Sequence, residues 1–325
     1  MSEDRTAVAV VLAAGQGKRM KSARPKAIHE VCGLPMLAYV LDTMHGAGVD
    51  DAVVVVGYGA EMVRERFAAW DRPLRWVEQT ERKGTGHAVM VTEATLGDFD
   101  GDVVVVCGDN PLLSADSVRR AIVQHRTEDV ACTVVTAEVD DPTGYGRVVR
   151  SVDGDVEAIV EERDATDVQR RIREINSGNY VFDARAMYEA LRKITPDNDQ
   201  AEYYLTDVVA TMRSDGKRVT SCITDDPTEV LGINSRAQLA EAGRILQQRI
   251  QSRLMDNGVT ITDPASTFID PRVEIGPDTV IGPFTILSGP ARIGRACRVG
   301  PFVHVKSGSE LPDGSETGSF KEFGS

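Results

Sequence analysis

Aromatic residues, long apolar runs and excess positive charge are all scarce in this sequence. Only 5% of the 325 residues are Phe, Trp or Tyr, and the formal net charge is −13. Proteins that bind nucleic acid along its phosphate backbone need a broad basic surface, so the acidic balance argues against nucleic acid as a partner. The longest apolar runs, such as residues 53–56 and 103–106, are far shorter than the roughly 20 residues that cross a bilayer. We therefore expect no membrane segment and a cytoplasmic location.

Cysteine is also scarce, and its spacing carries no pattern. The five cysteines are widely scattered and include no Cys-x-x-Cys pair. An odd number at such distances indicates neither a disulfide framework nor a zinc site. We expect reduced cysteines that pack as small hydrophobic side chains.

What the sequence does contain is a regular alternation of strand and helix patterns. Three β-branched runs, at residues 7–12, 52–56 and 102–106, are each followed by a helix-like stretch. This alternation predicts βαβ units, and so a doubly wound α/β domain with a mostly parallel sheet and helices on both faces. We place this domain at residues 1–235 and a linker helix at 236–258. Further helices are expected at residues 36–45, 202–212 and 236–254, and further strands at 133–139 and 147–150.

A six-residue period follows in the last part of the sequence. Its aliphatic positions are Ile275, Ile281, Leu287, Ile293, Val299 and Val305. Such hexads are typical of a parallel β-helix, in which three hexads make one triangular coil and the aliphatic residue points inward. Residues 306–325, which are rich in Gly and Ser, are expected to lack the pattern. The sequence therefore predicts a truncated β-helix of about two or three coils over residues 259–325, with open faces that favour oligomerisation.

A glycine-containing turn loaded with cations follows the first predicted strand. Residues 12–20 read LAAGQGKRM, and residues 24–26 read RPK. Glycine permits backbone amides to approach phosphate oxygens closely, so this local basic patch is a candidate phosphate site on an acidic protein. The turn lacks the third glycine of a dinucleotide fingerprint and the Gly-Lys-Ser/Thr of a P-loop. Taken alone, it is more typical of a solvated run of surface cations.

The function of this turn is indicated by ten sequence blocks that occur in order along the chain. They are residues 12–26, Gln79, and residues 84–88, 108–112, 141–147, 159–161, 164–167, 174–178, 202–207 and 232–236. Together these blocks resemble the sugar-nucleotide pyrophosphorylases. The similarity is greatest to the uridylyltransferase half of bacterial bifunctional enzymes that act on glucosamine 1-phosphate and its N-acetyl form. The resemblance implies a Rossmann-like nucleotidyltransferase domain, a left-handed β-helix and a homotrimer.

The same resemblance assigns roles to the candidate site residues. It implies that Arg19 grips the β- and γ-phosphates of UTP, and that Lys26 neutralises charge at the α-phosphate. It implies one Mg²⁺ held by Asp109 and Asn234; Asp109 also ends a predicted strand, where ligands bind in open α/β sheets, and Mg²⁺ takes few protein oxygens. The implied substrate-binding residues are Leu12, Ala13, Ala14, Gly15, Gly17, Gln79, Gly84, Thr85, Gly146, Glu161 and Asn176.

The nucleotide and the sugar would be bound by different members of that set. The resemblance implies that Gln79 and the segment at Gly84 and Thr85 read uracil, while Gly146, Glu161 and Asn176 contact N-acetylglucosamine. Alternatives remain for each role. Without the resemblance, residues 84–86 would be an ordinary turn, Asn234 a turn or capping residue, and Glu161 with Glu162 a solvated acidic pair.

The implied reaction transfers UMP from UTP to N-acetylglucosamine 1-phosphate with release of pyrophosphate. The attacking phosphate oxygen is already anionic, so no general base is needed and His87 receives no catalytic role. Two alternatives stay open: another sugar 1-phosphate such as glucose 1-phosphate, and a non-catalytic assembly or regulatory protein of the same fold.

The sequence departs from the family pattern at three positions close to the candidate site residues. Lys18 stands where threonine is common, Cys107 where an aromatic or small polar residue is frequent, and Asn110 where an apolar residue is usual. In the relatives a second site, on later coils of the β-helix, transfers an acetyl group with a catalytic histidine. His304 lies too early in the pattern to replace that histidine, so we expect residues 1–325 not to acetylate glucosamine 1-phosphate.

Overall fold

A computed structural model describes residues 5–324, which form two compact units. The first unit extends to residue 29 and continues over residues 36–235; the second contains residues 30–35 and continues from residue 236 onward. The assignment of residues 30–35 to the second unit had no signal in the sequence. None of the helices within residues 5–324 is long and apolar enough to span a membrane.

The helices are mostly short, and the longest belongs to the second unit. They are α1 (Met36–Gly46), α2 (Ala60–Arg66), α3 (Thr85–Met90), α4 (Glu93–Leu96), α5 (Ala115–Glu128), α6 (Ala184–Leu191), α7 (Asp207–Ser214) and α8 (Arg236–Asp256). The strands up to residue 223 are β1 (Ala7–Ala13), β2 (Glu30–Val31), β3 (Leu34–Pro35), β4 (Asp51–Val56), β5 (Leu74–Glu78), β6 (Asp102–Cys107), β7 (Cys132–Glu138), β8 (Arg147–Arg150), β9 (Val156–Val160), β10 (Glu174–Asp183) and β11 (Val219–Ile223).

Nine of these strands form the sheet of the first unit. Its main order is β11-β7-β10-β6-β1-β4-β5, with β8 paired to β10 and β9 paired to β8. The consecutive strands β6, β1, β4 and β5 pair with one another in parallel, which confirms the predicted α/β fold. Strand β10 runs antiparallel to both β6 and β7, so the sheet is mixed. The valine runs of β1, β4 and β6 show no alternation of apolar and polar residues. They are almost fully buried, as expected for strands covered on both faces.

The register of the central strands positions the loops that follow them. Leu12 in β1 pairs with Val55 in β4 and with Cys107 in β6. Parallel strands that end in register deliver their following loops to the same edge of the sheet, where ligands bind in open α/β folds. The loops after β1, β5 and β6 therefore meet at one place.

The predicted helix at residues 202–212 is wrong in its first half, because α7 begins only at Asp207. The backbone before it pairs with the glycine turn that precedes α3. The Tyr203 amide donates to the Lys83 carbonyl at 2.7 Å, and the Gly86 amide donates to the Tyr203 carbonyl at 2.8 Å. These long-range hydrogen bonds keep residues 202–204 out of the helix, residues 205–206 form a turn, and periodicity within the segment cannot reveal this.

The second unit is the predicted parallel β-helix. Its strands from residue 260 onward form three parallel sheets, ordered β12-β15-β18, β13-β16-β19-β21 and β14-β17-β20, while β2 and β3 form a separate antiparallel pair. The hexad residues from Ile281 to Val305 are buried, and Ile275 is partly buried against the same core. Helix α8 packs against this core through Ile250 and Leu254. The strands are β12 (Thr260–Ile261), β13 (Phe268–Ile269), β14 (Val273–Ile275), β15 (Val280–Ile281), β16 (Ile286–Leu287), β17 (Ala291–Ile293), β18 (Arg298–Val299), β19 (Val303–Val305), β20 (Glu310–Leu311) and β21 (Lys321–Phe323).

The expectation that residues 306–325 lose the hexad pattern is wrong. Strands β20 and β21 continue the coils, with Leu311 paired to Ile293 and Phe323 paired to Val305. The six-residue period extends through Leu311, Thr317 and Phe323, and Thr317 is 1% exposed. A threonine at an inward position, between Gly- and Ser-rich corners, conceals the period from a search for aliphatic residues.

Candidate active site

A cavity of about 640 Å³ lies where the loops after β1, β5 and β6 meet. Twelve predicted site residues line it: Leu12, Ala13, Ala14, Gly15, Gly17, Arg19, Lys26, Gln79, Gly84, Thr85, Asp109 and Asn234. It is also lined by Gln16, Lys18, Ala27, Arg82, Ala88, Cys107, Gly108 and Glu202. The residues predicted to bind nucleotide and metal thus lie around one space.

The loop after β1 owes its shape to Gly17. Its φ of 63° is left-handed, and a Cβ atom there would lie only 2.8 Å from the Cβ of Lys26. Glycine therefore allows the stem of Lys26 to pack against the turn. Met20 is 1% exposed and anchors the loop in the core, whereas Lys18 and Arg19 are exposed at the cavity.

Lys26 connects the two predicted metal ligands. Its Nζ contacts Oδ2 of Asp109 and donates to Oδ1 of Asn234 at 2.7 Å. The two oxygens therefore face a single position that holds positive charge. A carboxylate and an amide oxygen are the hard donors that suit Mg²⁺. Within residues 5–324 no group of three or more His, Cys, Asp or Glu side chains could hold a metal, so an ion here would keep water or phosphate ligands, as Mg²⁺ does.

Two departures from the family pattern flank this centre. The Cys107 thiol contacts the Gly178 carbonyl at 3.5 Å, and burial together with the nearby Asp109 carboxylate raises its pKa to about 12. This thiol stays neutral and is a poor nucleophile. Asn110 is 1% exposed, and neither atom of its amide hydrogen-bonds to any other described residue. An unpaired buried amide costs free energy of folding.

The segment predicted to read uracil is held tightly. Gly84 has φ 103° and ψ 176°, a conformation that only glycine adopts readily, and a Cβ there would lie 2.4 Å from the Tyr203 carbonyl oxygen. Gln79 is 4% exposed, and its Nε2 donates to the Gly84 carbonyl at 3.0 Å. The same nitrogen lies 3.1 Å from Nδ1 of His87, whose pKa is lowered by burial.

The residues predicted to bind the sugar form a second cluster, which does not line the cavity above. A Cβ on Gly146 would lie 3.6 Å from both the Asn176 Cβ and Oε1 of Glu161. The Asn176 amide donates to the Gly146 carbonyl at 2.9 Å, and Thr206 Oγ1 donates to Glu161 Oε1 at 3.3 Å. Burial raises the pKa of Glu161. The thiol of Cys107 joins the two clusters, because it lines the cavity and contacts Gly178, two residues after Asn176.

Sequence reasoning missed the residue that braces this cluster. Arg147 is only 1% exposed; its Nη2 pairs with Oε2 of Glu162 at 2.6 Å, and its Nη1 donates to the Tyr145 carbonyl. Glu162 is therefore not half of a solvated acidic pair. The guanidinium also approaches the Arg170 carbonyl at 3.4 Å, so it ties together the three segments that surround Gly146 and Glu161. The strand pattern Arg-Val-Val-Arg at residues 147–150 gave no sign that the cation at its first position is buried.

A second missed residue bridges the two loops on the nucleotide side. Arg82 Nη1 donates to Gln16 Oε1 at 3.2 Å, and its guanidinium lies 6.0 Å from the ring centre of Tyr58. Both Arg82 and Gln16 line the cavity. Arg82 and Gln16 are identified as residues of the cavity only by their positions in the structure.

A glycine-rich cationic loop after the first strand of a mixed α/β sheet, facing a carboxylate at the end of a neighbouring strand, defines a nucleotidyltransferase site. The profile of the nucleotidyl transferase family matches residues 8–228, and the chain belongs to this family. The profile of the bacterial transferase hexapeptide, with six repeats, matches residues 272–307.

The particular relatives are bacterial proteins named bifunctional protein GlmU. The chain is 48% identical over 273 residues to that of Acetivibrio thermocellus, covering 84% of this chain and 59% of the relative. It is 49% identical over 282 residues to that of Streptomyces avermitilis, covering 86% and 58%. It is 48% identical over 272 residues to that of Geobacillus thermodenitrificans, covering 84% and 59%. The chain thus spans about three fifths of the length of these relatives. The family resemblance drawn from the ten sequence blocks is confirmed.

Proposed function

We propose that this protein is a UDP-N-acetylglucosamine pyrophosphorylase. It would transfer UMP from UTP to N-acetylglucosamine 1-phosphate and release pyrophosphate. The observation that carries the proposal is the convergence of Lys26, Asp109 and Asn234 in a cavity that the glycine-rich loop also lines. The identity of almost one half to proteins named GlmU supports the choice of substrates.

The reaction proposed is an in-line displacement at the α-phosphorus of UTP. Arg19 lines the cavity beside the glycine-rich loop and would bind the β- and γ-phosphates. Backbone amides of residues 13–17 would donate to the triphosphate. Lys26 would neutralise the charge that develops on the α-phosphate. Positioning and charge neutralisation suffice for phosphoryl-group chemistry when the nucleophile is already anionic.

Asp109 and Asn234 would hold the Mg²⁺ ion, which when bound supplies charge neutralisation at the phosphates. The ammonium of Lys26 contacts both of these residues. Asp109 and Asn234 would be free to hold the ion once Lys26 turned away from them, and the flexible stem of Lys26 would let its ammonium reach a phosphate oxygen. The residues present thus fit the ion proposed.

On the sugar side, we propose that Glu161 and Asn176 recognise the N-acetylglucosamine moiety close to Gly146. A Cβ atom on Gly146 would lie in van der Waals contact with both side chains, so the glycine keeps the space beside them open. A buried carboxylate accepts hydrogen bonds from sugar hydroxyls, and a sugar that lacks the partner group leaves this carboxylate unpaired.

A pyrophosphate-release assay tests the proposal. Purified protein is mixed with Mg²⁺, UTP and one of three sugars: N-acetylglucosamine 1-phosphate, glucosamine 1-phosphate or glucose 1-phosphate. We expect the highest kcat/KM with N-acetylglucosamine 1-phosphate. Preference for glucose 1-phosphate would reassign the sugar pocket, and no release with any sugar would favour a non-catalytic assembly protein.

We also propose a homotrimer formed through the β-helix, and the cytoplasm as the place where UTP is consumed. Three rings, those of Phe284, Phe302 and Phe320, stack with centres 4.9 Å apart along the coils and are 43–79% exposed. A row of exposed aromatic rings on a soluble enzyme favours a protein contact. Light scattering after size-exclusion chromatography gives the mass, for which three chains of 35.2 kDa are expected.

A further inference from the structure

The side-chain amide of Gln79 is held from two directions. Its Nε2 donates to the Gly84 carbonyl at 3.0 Å and lies 3.1 Å from Nδ1 of His87. A carbonyl oxygen can only accept, so the amide group that faces Gly84 must be the NH₂ and not the oxygen. The contact with Gly84 therefore fixes which way the amide points.

Nδ1 of His87 accepts a hydrogen bond from the second hydrogen of that NH₂. Its Nδ1 must then be the unprotonated ring nitrogen, which is available in the neutral imidazole. Burial and the charge of Lys83 both lower the pKa of His87, so the neutral ring prevails near pH 7. With both hydrogens of Nε2 engaged, Oε1 is the only part of the Gln79 amide that can still bond to a ligand, and it can only accept.

We propose that His87 is a positioning residue that selects uracil over cytosine through Gln79. Uracil carries a hydrogen on N3, which Oε1 of Gln79 can accept. Cytosine has a lone pair at N3, so two acceptors would face each other and a buried polar group would stay unpaired. The inference rests on the proposed function, in which Gln79 lines the nucleotide cavity and reads the base.

A matched pair of variants tests the inference. His87→Leu removes the acceptor, whereas His87→Asn can keep an oxygen close to the position of Nδ1. We measure kcat/KM for UTP, CTP and dTTP at saturating N-acetylglucosamine 1-phosphate. Loss of one neutral hydrogen bond should lower the UTP to CTP ratio by about 3- to 10-fold in His87→Leu, with recovery in His87→Asn. The UTP to dTTP ratio should stay unchanged, because thymine also carries a hydrogen on N3.

The outcomes separate this inference from the proposed function. A wild-type protein without UTP turnover contradicts the proposed function itself. Normal wild-type turnover with an unchanged UTP to CTP ratio in His87→Leu overturns only the role of His87. An equal fall with all three nucleotides also overturns it, because a merely structural residue would act in that way.

A second measurement reads the ring nitrogens of His87 in the wild-type protein itself. Nitrogen-15 NMR of the wild-type protein labelled at histidine reports which ring nitrogen of His87 is protonated; the resonance is assigned with His87→Asn. The inference expects a neutral ring with the proton on Nε2 at pH 7.5. A proton on Nδ1 at that pH would overturn it.

Discussion

The ammonium nitrogen of Lys26 lies in contact with the carboxylate of Asp109, and it also donates to the amide oxygen of Asn234 at 2.7 Å. The side chains of Lys26 and Asp109 are only 12% and 24% exposed, so their charges interact with little screening by water. One residue proposed to act on the α-phosphate is therefore held by the two proposed to bind the metal.

Lys26→Met should strongly reduce turnover, because it removes a fixed positive charge at the reacting phosphate. We expect a loss of about 2–4 kcal/mol of transition-state stabilisation, measured as kcat/KM for pyrophosphate release. Lys21→Met is the matched control, since Lys21 lies on the same loop and is exposed, and it is not among the residues that line the cavity. Equal activity of the two variants would remove Lys26 from the mechanism.

Glu161→Gln should weaken sugar binding and stabilise the fold at neutral pH. Loss of a hydrogen-bonding charge should raise the KM for N-acetylglucosamine 1-phosphate by about 10- to 100-fold, while the KM for UTP stays unchanged. A selective loss of UTP affinity would place Glu161 elsewhere.

The stability effect follows from the sign of the pKa shift. Burial raises the pKa of Glu161 above its ordinary value of 4.5, so the folded protein still holds the proton where the unfolded chain has lost it. Its contribution to the free energy of unfolding therefore falls as pH rises from 4.5 through the raised pKa. Denaturant titrations should show Glu161→Gln gaining stability over the wild type across that window. A gain that shrinks with rising pH would contradict the shift.

Arg147→Met should impair the sugar site more than the nucleotide site. The variant leaves Glu162 unpaired and frees the Tyr145 carbonyl, so we expect a higher KM for the sugar phosphate and a stability loss of about 1.5–3 kcal/mol. Arg150→Met is the control, because Arg150 lies on the same strand and pairs with Glu174 at 2.6 Å. It should lower the melting temperature without changing the KM for the sugar. If both variants changed the KM alike, Arg147 would have no special role there.

Asn110→Leu should stabilise the protein. The Asn110 amide is buried and unpaired among the described residues, and replacing it with an apolar side chain of the same branched shape should recover about 1–3 kcal/mol. Calorimetry measures this as a higher melting temperature. A lower melting temperature, or an altered Mg²⁺ requirement, would show that Asn110 acts on the neighbouring Asp109.

Local sequence patterns predicted the fold well where the residues that form the pattern are also the residues that are buried. The valine runs of β1, β4 and β6 and the hexads from Ile275 to Val305 identified both units. They could not predict that β10 runs antiparallel between β6 and β7, because strand direction depends on which distant strand it meets. The non-helical residues 202–206 could not be predicted for the same reason, since Tyr203 forms its backbone hydrogen bonds with Lys83 and Gly86, more than 100 residues away.

In the candidate site, too, local motifs could be predicted from the sequence and contacts between distant residues could not. The loop motif indicated Arg19 and Lys26, but contacts between side chains such as Lys26 with Asp109, Arg147 with Glu162 and Gln79 with His87 appear only in three dimensions. The domain limits, the site roles and the lack of acetyl transfer by residues 1–325 remain predictions.

Phosphorus-31 NMR of a reaction with UTP, N-acetylglucosamine 1-phosphate and Mg²⁺ tests the central claim most directly, because it identifies both products. For the wild-type protein we predict that the diphosphate resonances of a UDP-sugar and the pyrophosphate resonance appear in equal amounts. For Asp109→Asn, which removes one charge from a metal site with few protein ligands, we predict that most of this turnover is lost while the protein stays folded. No UDP-sugar from the wild type, or Asp109→Asn turning over at the wild-type rate, would contradict the account.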